Sequence, residues 1–236
     1  MKQAIMFVAG LAAAAAAGLA LKSAGESAAL QALAILAGHA LLLLWWMRNA
    51  SELAAKDTLA MIFIGGGLSA AIALLIGSAL PIPKPWDDLA AGPIEEPAKA
   101  AAFVALMRWL RIAPTMQRGI AYAFCIALGF SFYENAAYIA DDAAWWIRAL
   151  PGHLIYASIW GPSFARALTE GANASPSAII ALALASGAHA LWNSQAFLEE
   201  FYLLALMGLL VFGVKRIQKA CEQAGAHGFY RVRSGA

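Results

Sequence analysis

Charge is what this sequence has least of. Only 13% of its 236 residues are Asp, Glu, Lys or Arg, against about 25% in a soluble domain. That excludes an ordinary soluble globular domain. The formal net charge of +2 gives no sign of a nucleic-acid partner, which would call for a strong basic excess. Cysteine is nearly absent as well. The two present, Cys125 and Cys221, fall in an apolar span and in the basic tail, where they look unable to meet. A disulfide framework and a CxxC metal site are therefore excluded. Long polar linkers are also missing. The loops are short, no internal repeat is evident, and nothing separates a second domain, so residues 1–236 read as a single integral membrane domain.

Apolar residues make up 62% of the chain, and they come in runs near twenty residues, each long enough to cross a bilayer as a helix. The runs predict an all-α, polytopic helical membrane protein of about eight transmembrane helices. They fall near 3–21, 28–47, 58–80, 89–107, 118–140, 145–167, 176–197 and 200–214, with Pro81, Pro83, Pro85, Pro114 and Pro176 at junctions. The first run could be read as a signal peptide, but Ile5 to Leu21 is long for a signal core, so a retained first helix is expected. The small residues of "LAAAAAA" and "GGG" at 65–67 are surfaces over which membrane helices approach closely.

Basic residues set the orientation. Lys2, Arg48, Lys56, Arg108, Arg111, Arg118, Arg166, Lys215, Arg216, Lys219, Arg231 and Arg233 fall on one side. Lys22, Lys84 and Arg148 fall on the other, together with Glu26, Asp87, Asp88, Asp141, Asp142, Glu199 and Glu200. Both termini are thus expected in the cytoplasm, with 215–236 as a basic cytoplasmic tail near anionic lipid. His227 there reads as a solvated histidine. Trp45, Trp46, Trp86, Trp109, Trp145 and Trp146 lie near predicted span ends, as aromatic belts do.

Few ionisable groups interrupt the spans, and each is a functional candidate because burying it in hydrocarbon is costly. They are Glu95, Glu96, Lys99, Glu134, His153 and His189, accompanied by Asn135 and Asn193. His39 stands alone in its span and reads as a structural histidine bonding a carbonyl. By position along their helices, the others reach one layer roughly 8–14 Å below the outer surface. Four helices deliver carboxylates and imidazoles to one depth. Lys99 is placed i,i+4 from Glu95 and i,i+3 from Glu96, and so reaches either. His189 and Asn193 share a face. Pro151–Gly152 either kinks the sixth span or starts it, leaving the depth of His153 the least constrained.

Three glutamates and one lysine leave a buried formal charge of −2. Either some carboxylates are protonated or a divalent cation is bound. Two histidines with a glutamate are the ligand types of a catalytic zinc site. Such an ion makes a nucleophile of water at neutral pH. A remaining glutamate suits a general base, and an asparagine amide suits an oxyanion. Three readings stay open: a hydrolase acting inside the membrane, a Glu/His-lined transporter, and a cluster that only fixes helix packing.

The ordered set "EEPAK" (95–99), "FSFYEN" (130–135), His153 and "HALWN" (189–193) resembles the PrsW family of intramembrane proteases. The likeness covers roughly residues 89–197. The wider group, with CAAX prenyl endopeptidases and Abi-type immunity proteins, typically carries histidine where this chain has Glu134 and arginine where it has Lys99. The resemblance implies peptide-bond hydrolysis at or within an inner membrane, on a membrane-anchored protein such as an anti-sigma factor cut at site 1. On these residues the expected mechanism has Glu95 or Glu96 as general base, Lys99 holding the other glutamate and Asn193 steadying the oxyanion. Glu134, His153 and His189 would bind zinc or, without metal, orient the water directly.

Overall fold

The structure, a computed structural model, describes residues 25, 27–46, 53–140, 150–171, 175–194 and 201–224. Among them are seven helices and no strand. They are α1 (Ala28–Trp46), α2 (Ala55–Ala79), α3 (Trp86–Trp109), α4 (Met116–Ala140), α5 (Gly152–Glu170), α6 (Ser175–Trp192) and α7 (Tyr202–Gln223). The expected first span at 3–21, Asp141, Asp142, Trp145, Trp146, Glu199, Glu200 and the tail from residue 225, with His227, lie outside the described residues.

Among the described residues, three helices are long and apolar enough to cross a membrane: Ala55–Ala79, Met116–Ile139 and Ser175–Trp192. That is fewer than the eight expected. The charged groups of α3 are the physical reason it falls short on composition. Its 24 residues nonetheless measure about 36 Å at helical rise, more than the roughly 30 Å of a hydrocarbon core. Trp86 and Trp109 mark its two ends, and both are exposed, as belt residues would be.

The centre is built by α4 and α5. From Ile120 to Leu128 every residue of α4 is buried, and so is every residue of α5 from Leu154 to Pro162. A helix apolar all round belongs in an interior. Against α4 pack α1, α2 and α5; against α5 pack α6 and α7; α3 lies between α2 and α6. The outer faces of α2 and α6 expose Leu74, Leu75, Ile179, Ile180 and Leu184, which water would not tolerate as a surface but lipid would.

Small residues bring α2 and α4 together. A Cβ on Gly129 would lie 1.7 Å from the Ile62 carbonyl oxygen, so only glycine allows this crossing. α2 contains a π-helical stretch at Met61–Gly65 beside the contact, and Tyr133 Oη donates to the Phe63 carbonyl there at 3.1 Å. The start of α4 is capped by Thr115, whose Oγ1 accepts the Arg118 N–H at 3.1 Å.

Two helix ends fall elsewhere than the expected spans 145–167 and 200–214 put them. Pro151 is the N-cap of α5, so Pro151–Gly152 starts the helix rather than kinking it. Proline suits that place because its missing N–H has no partner in a first turn. His153 accordingly sits in the first turn of α5, not two turns inside a longer span. At the other end, α7 runs on through Lys215 and Arg216 to Gln223. Arg216 holds it by donating to the Ser158 carbonyl at 2.9 Å.

Candidate active site

The stretch 92–99 is unusual helix sequence. Pro93 and Pro97 lie inside α3, one on each side of the glutamate pair. Each proline removes one intrahelical hydrogen bond, so the glutamates sit on a loosened turn. Gly92 lets that turn lie against α6: a Cβ there would be 2.2 Å from the Ser186 carbonyl oxygen. His189 is one helical turn beyond Ser186. The close crossing therefore delivers two carboxylates to an imidazole on a different helix.

Lys99 is fully buried and its three ammonium protons have three partners. Nζ lies 2.7 Å from Glu96 Oε1, 3.4 Å from Glu95 Oε2 and 3.0 Å from His153 Nδ1. It also stands 3.9 Å from the centre of the Phe130 ring, a cation–π contact. An ammonium donates only, so His153 Nδ1 accepts. His153 Nε2 then carries the proton and donates to Glu134 Oε2 at 2.6 Å.

Glu96 is fully buried too and its carboxylate is saturated. Oε1 takes the Lys99 bond and lies 2.9 Å from His189 Nδ1. Oε2 accepts from Trp160 Nε1 at 3.1 Å. Glu95 differs: its side chain is 14% exposed, and its Oε2 lies 3.8 Å from His189 Nε2. The two glutamates, which spacing alone does not separate, thus have different surroundings. One is anchored by three donors. The other is partly open.

A cavity lies beside the histidines, lined by Ser131, Glu134, Asn135, Leu150, Gly152, His153, Tyr156, His189, Trp192 and Asn193. Its water-accessible space of ≈ 20 Å³ exceeds the roughly 10–15 Å³ that one water needs. Asn193 lies in the turn that follows α6, and its N–H continues the helical pattern to the His189 carbonyl at 3.1 Å. Asn135 donates to Ser131 Oγ at 3.2 Å within α4. His39 is buried in α1 and is no member of the cluster.

Four residues, Glu95, Glu96, His153 and His189, each offer a ligand atom within 4.8 Å of the others. This set differs from the one read from sequence, in which Glu134 was the carboxylate ligand. Glu134 lies outside that set and accepts from His153 Nε2 at 2.6 Å. Imidazole and carboxylate are the donor types that zinc takes, and the set fits such an ion chemically. Lys99 Nζ already contacts three of the four residues, so the lysine must give way for a metal to share them.

Sequence reasoning missed Trp160 and Tyr156. Neither interrupts the apolar pattern, so both read as core. Tyr156 stacks on His189 with ring centres 4.4 Å apart and planes 13° from parallel.

With this geometry goes a match of the chain to the family described as PrsW family intramembrane metalloprotease, over residues 54–215. The chain belongs to the PrsW family. The matched region holds every clustered residue and helices α2 to α6 whole. Searches of curated proteins and of solved structures return no match. A PrsW-family assignment makes this a membrane protein and supports an intramembrane peptidase.

Proposed function

We propose that this PrsW-family chain is an endopeptidase that cuts membrane-anchored proteins near the extracytoplasmic edge of a bacterial inner membrane. The whole chain, 1–236, acts as one integral membrane domain of about eight spans, with both termini and the basic tail cytoplasmic. The observation that carries the reading is the convergence of Glu95, Glu96, His153 and His189 within 4.8 Å. They meet beside a cavity with room for water.

Glu95 is the general base. It is the partly open carboxylate of the pair, whereas each oxygen of Glu96 is already engaged. Glu95 takes a proton from water, and the water oxygen bonds to the scissile carbonyl carbon. The carbonyl π pair moves onto oxygen, and Asn193 at the cavity wall donates to that oxyanion. When the C–N bond breaks, the proton held by Glu95 passes to the leaving amine. Glu96 fixes His189, Glu134 fixes His153, and Lys99 balances the carboxylates. With Lys99 drawn aside, His153 and His189 and a carboxylate of the cluster would hold a zinc ion. Bound zinc would supply Lewis acidity that lowers the pKa of water.

The family resemblance and the expected outward-facing site favour a membrane-anchored anti-sigma factor as substrate, cut at site 1. The test is cleavage of a panel of membrane-anchored reporter proteins in proteoliposomes. Glu95→Gln and His189→Ala should each lower cleavage by at least 10²-fold with the protein still folded. Full activity in both variants would overturn the assignment. Solute flux with no cleavage would point to a transporter instead.

A further inference from the structure

One buried side-chain polar atom among the described residues has no hydrogen-bond partner: the hydroxyl of Tyr156. The residue is only 1% exposed. Burying a hydroxyl without a hydrogen bond costs stability, and such an orphan in a native core calls for an explanation. Its location supplies one. Tyr156 follows His153 by three residues on α5, so both face the same way, and both line the cavity with His189 and Asn193. Its ring is clamped against His189 by the parallel stack.

The hydroxyl end lies over Gly152. A Cβ at Gly152 would come within 3.2 Å of the Tyr156 oxygen and 3.4 Å of the Trp192 ring. Glycine at 152 lets the first turn of α5 lie close to the hydroxyl, and both residues line the cavity. The tyrosine is thus held rigidly by its ring while its donor is kept unspent.

We infer that Tyr156 is a further catalytic residue, whose O–H donates a hydrogen bond to the oxyanion formed when water adds to the scissile carbonyl. The inference rests on the peptidase reading given above. The electron pair of the carbonyl π bond moves to oxygen as the C–O bond to water forms. Tyr156 keeps its proton throughout and contributes only the hydrogen bond. A rigid donor aimed at developing charge needs no rearrangement at the moment of reaction, which is why such donors act strongly. Tyr156 and Asn193 would meet the oxyanion together.

The experiment compares wild type with Tyr156→Phe, full-length in proteoliposomes, on those membrane-anchored reporters that wild type cleaves and Glu95→Gln does not. Loss of one oxyanion donor lowers kcat by about 10²–10³-fold, with KM little changed. Because the hydroxyl has no partner to lose, Tyr156→Phe should unfold at the same temperature as wild type or higher. Unchanged kcat would overturn the inference while leaving the peptidase reading intact. A fall in kcat accompanied by a lower unfolding temperature would also overturn it, by making Tyr156 structural. If wild type cleaves no reporter in the panel, the peptidase reading fails and takes this inference with it.

Discussion

At the residue scale the site turns on Lys99. An ammonium has three protons in a compact head, and here three partners on two helices surround it. Arginine would present a planar fork of five donors instead, which does not match this arrangement. Removing the charge leaves Glu96 buried with its strongest partner gone. Breaking a buried pair from one side typically costs about 3–5 kcal/mol. Lys99→Met should therefore lower the unfolding free energy in detergent by about that amount, read from denaturant or thermal unfolding. A loss under about 1 kcal/mol would mean the carboxylates find other compensation. Half of this arrangement was legible beforehand. The i,i+3 and i,i+4 spacings put Lys99 beside both glutamates. Its bond to His153, 54 positions away, and its seat on Phe130 depend on how helices pack, which spacing does not encode. The same holds for Trp160 on Glu96 and for Tyr156, whose polar atoms hide inside an apolar pattern.

At the scale of elements, the α3–α6 crossing decides whether the carboxylates meet His189. Gly92 is the contact point, with Ser186 main chain where a Cβ would go. Gly92→Ala should push the helices apart at a cost of about 1–3 kcal/mol. A shift near 1 Å at a reacting centre is worth about 10²-fold in rate, so cleavage should fall by that order with helicity retained. Gly187 on α6 is the control, since a Cβ there meets nothing within 4 Å. Gly187→Ala should leave activity and stability near wild type. Equal effects of the two substitutions would rule out the packing explanation. Most helix positions were readable from apolar runs, because length and composition fix them. The ends were not. Whether Pro151–Gly152 kinks or starts a helix depends on what flanks it in space, and the basic second half of α7 is held by Arg216 on the Ser158 carbonyl, a contact far apart in sequence.

At the scale of the whole molecule, the four motifs were legible as one site because their positions along successive helices implied a common depth. The bundle brings Glu95, Glu96, His153 and His189 within 4.8 Å, with Glu134 bonded to His153. The number of spans was less legible: the sequence counts 89–107 as one, while among the described residues the charges of α3 keep it off the helices apolar enough to cross, although those charges neutralise one another inside. They do so incompletely. Three carboxylates, Glu95, Glu96 and Glu134, face one ammonium, which leaves a formal −2 in an apolar bundle. A divalent cation held by His153, His189 and a carboxylate of the cluster would remove that excess, and the donors are of the kind zinc takes. Purified wild-type protein is accordingly expected to carry about one zinc per chain, measured by elemental analysis, and His153→Ala and His189→Ala to carry none. Zinc at 100 times its Kd should stabilise the fold by about 2.7 kcal/mol, so chelation should lower the Tm of wild type and leave both variants unmoved. A chain that is metal-free yet cleaves its reporters would instead assign water activation to the glutamate alone. The surplus charge would then be held as protons on the remaining carboxylates, and chelators would affect neither rate nor Tm.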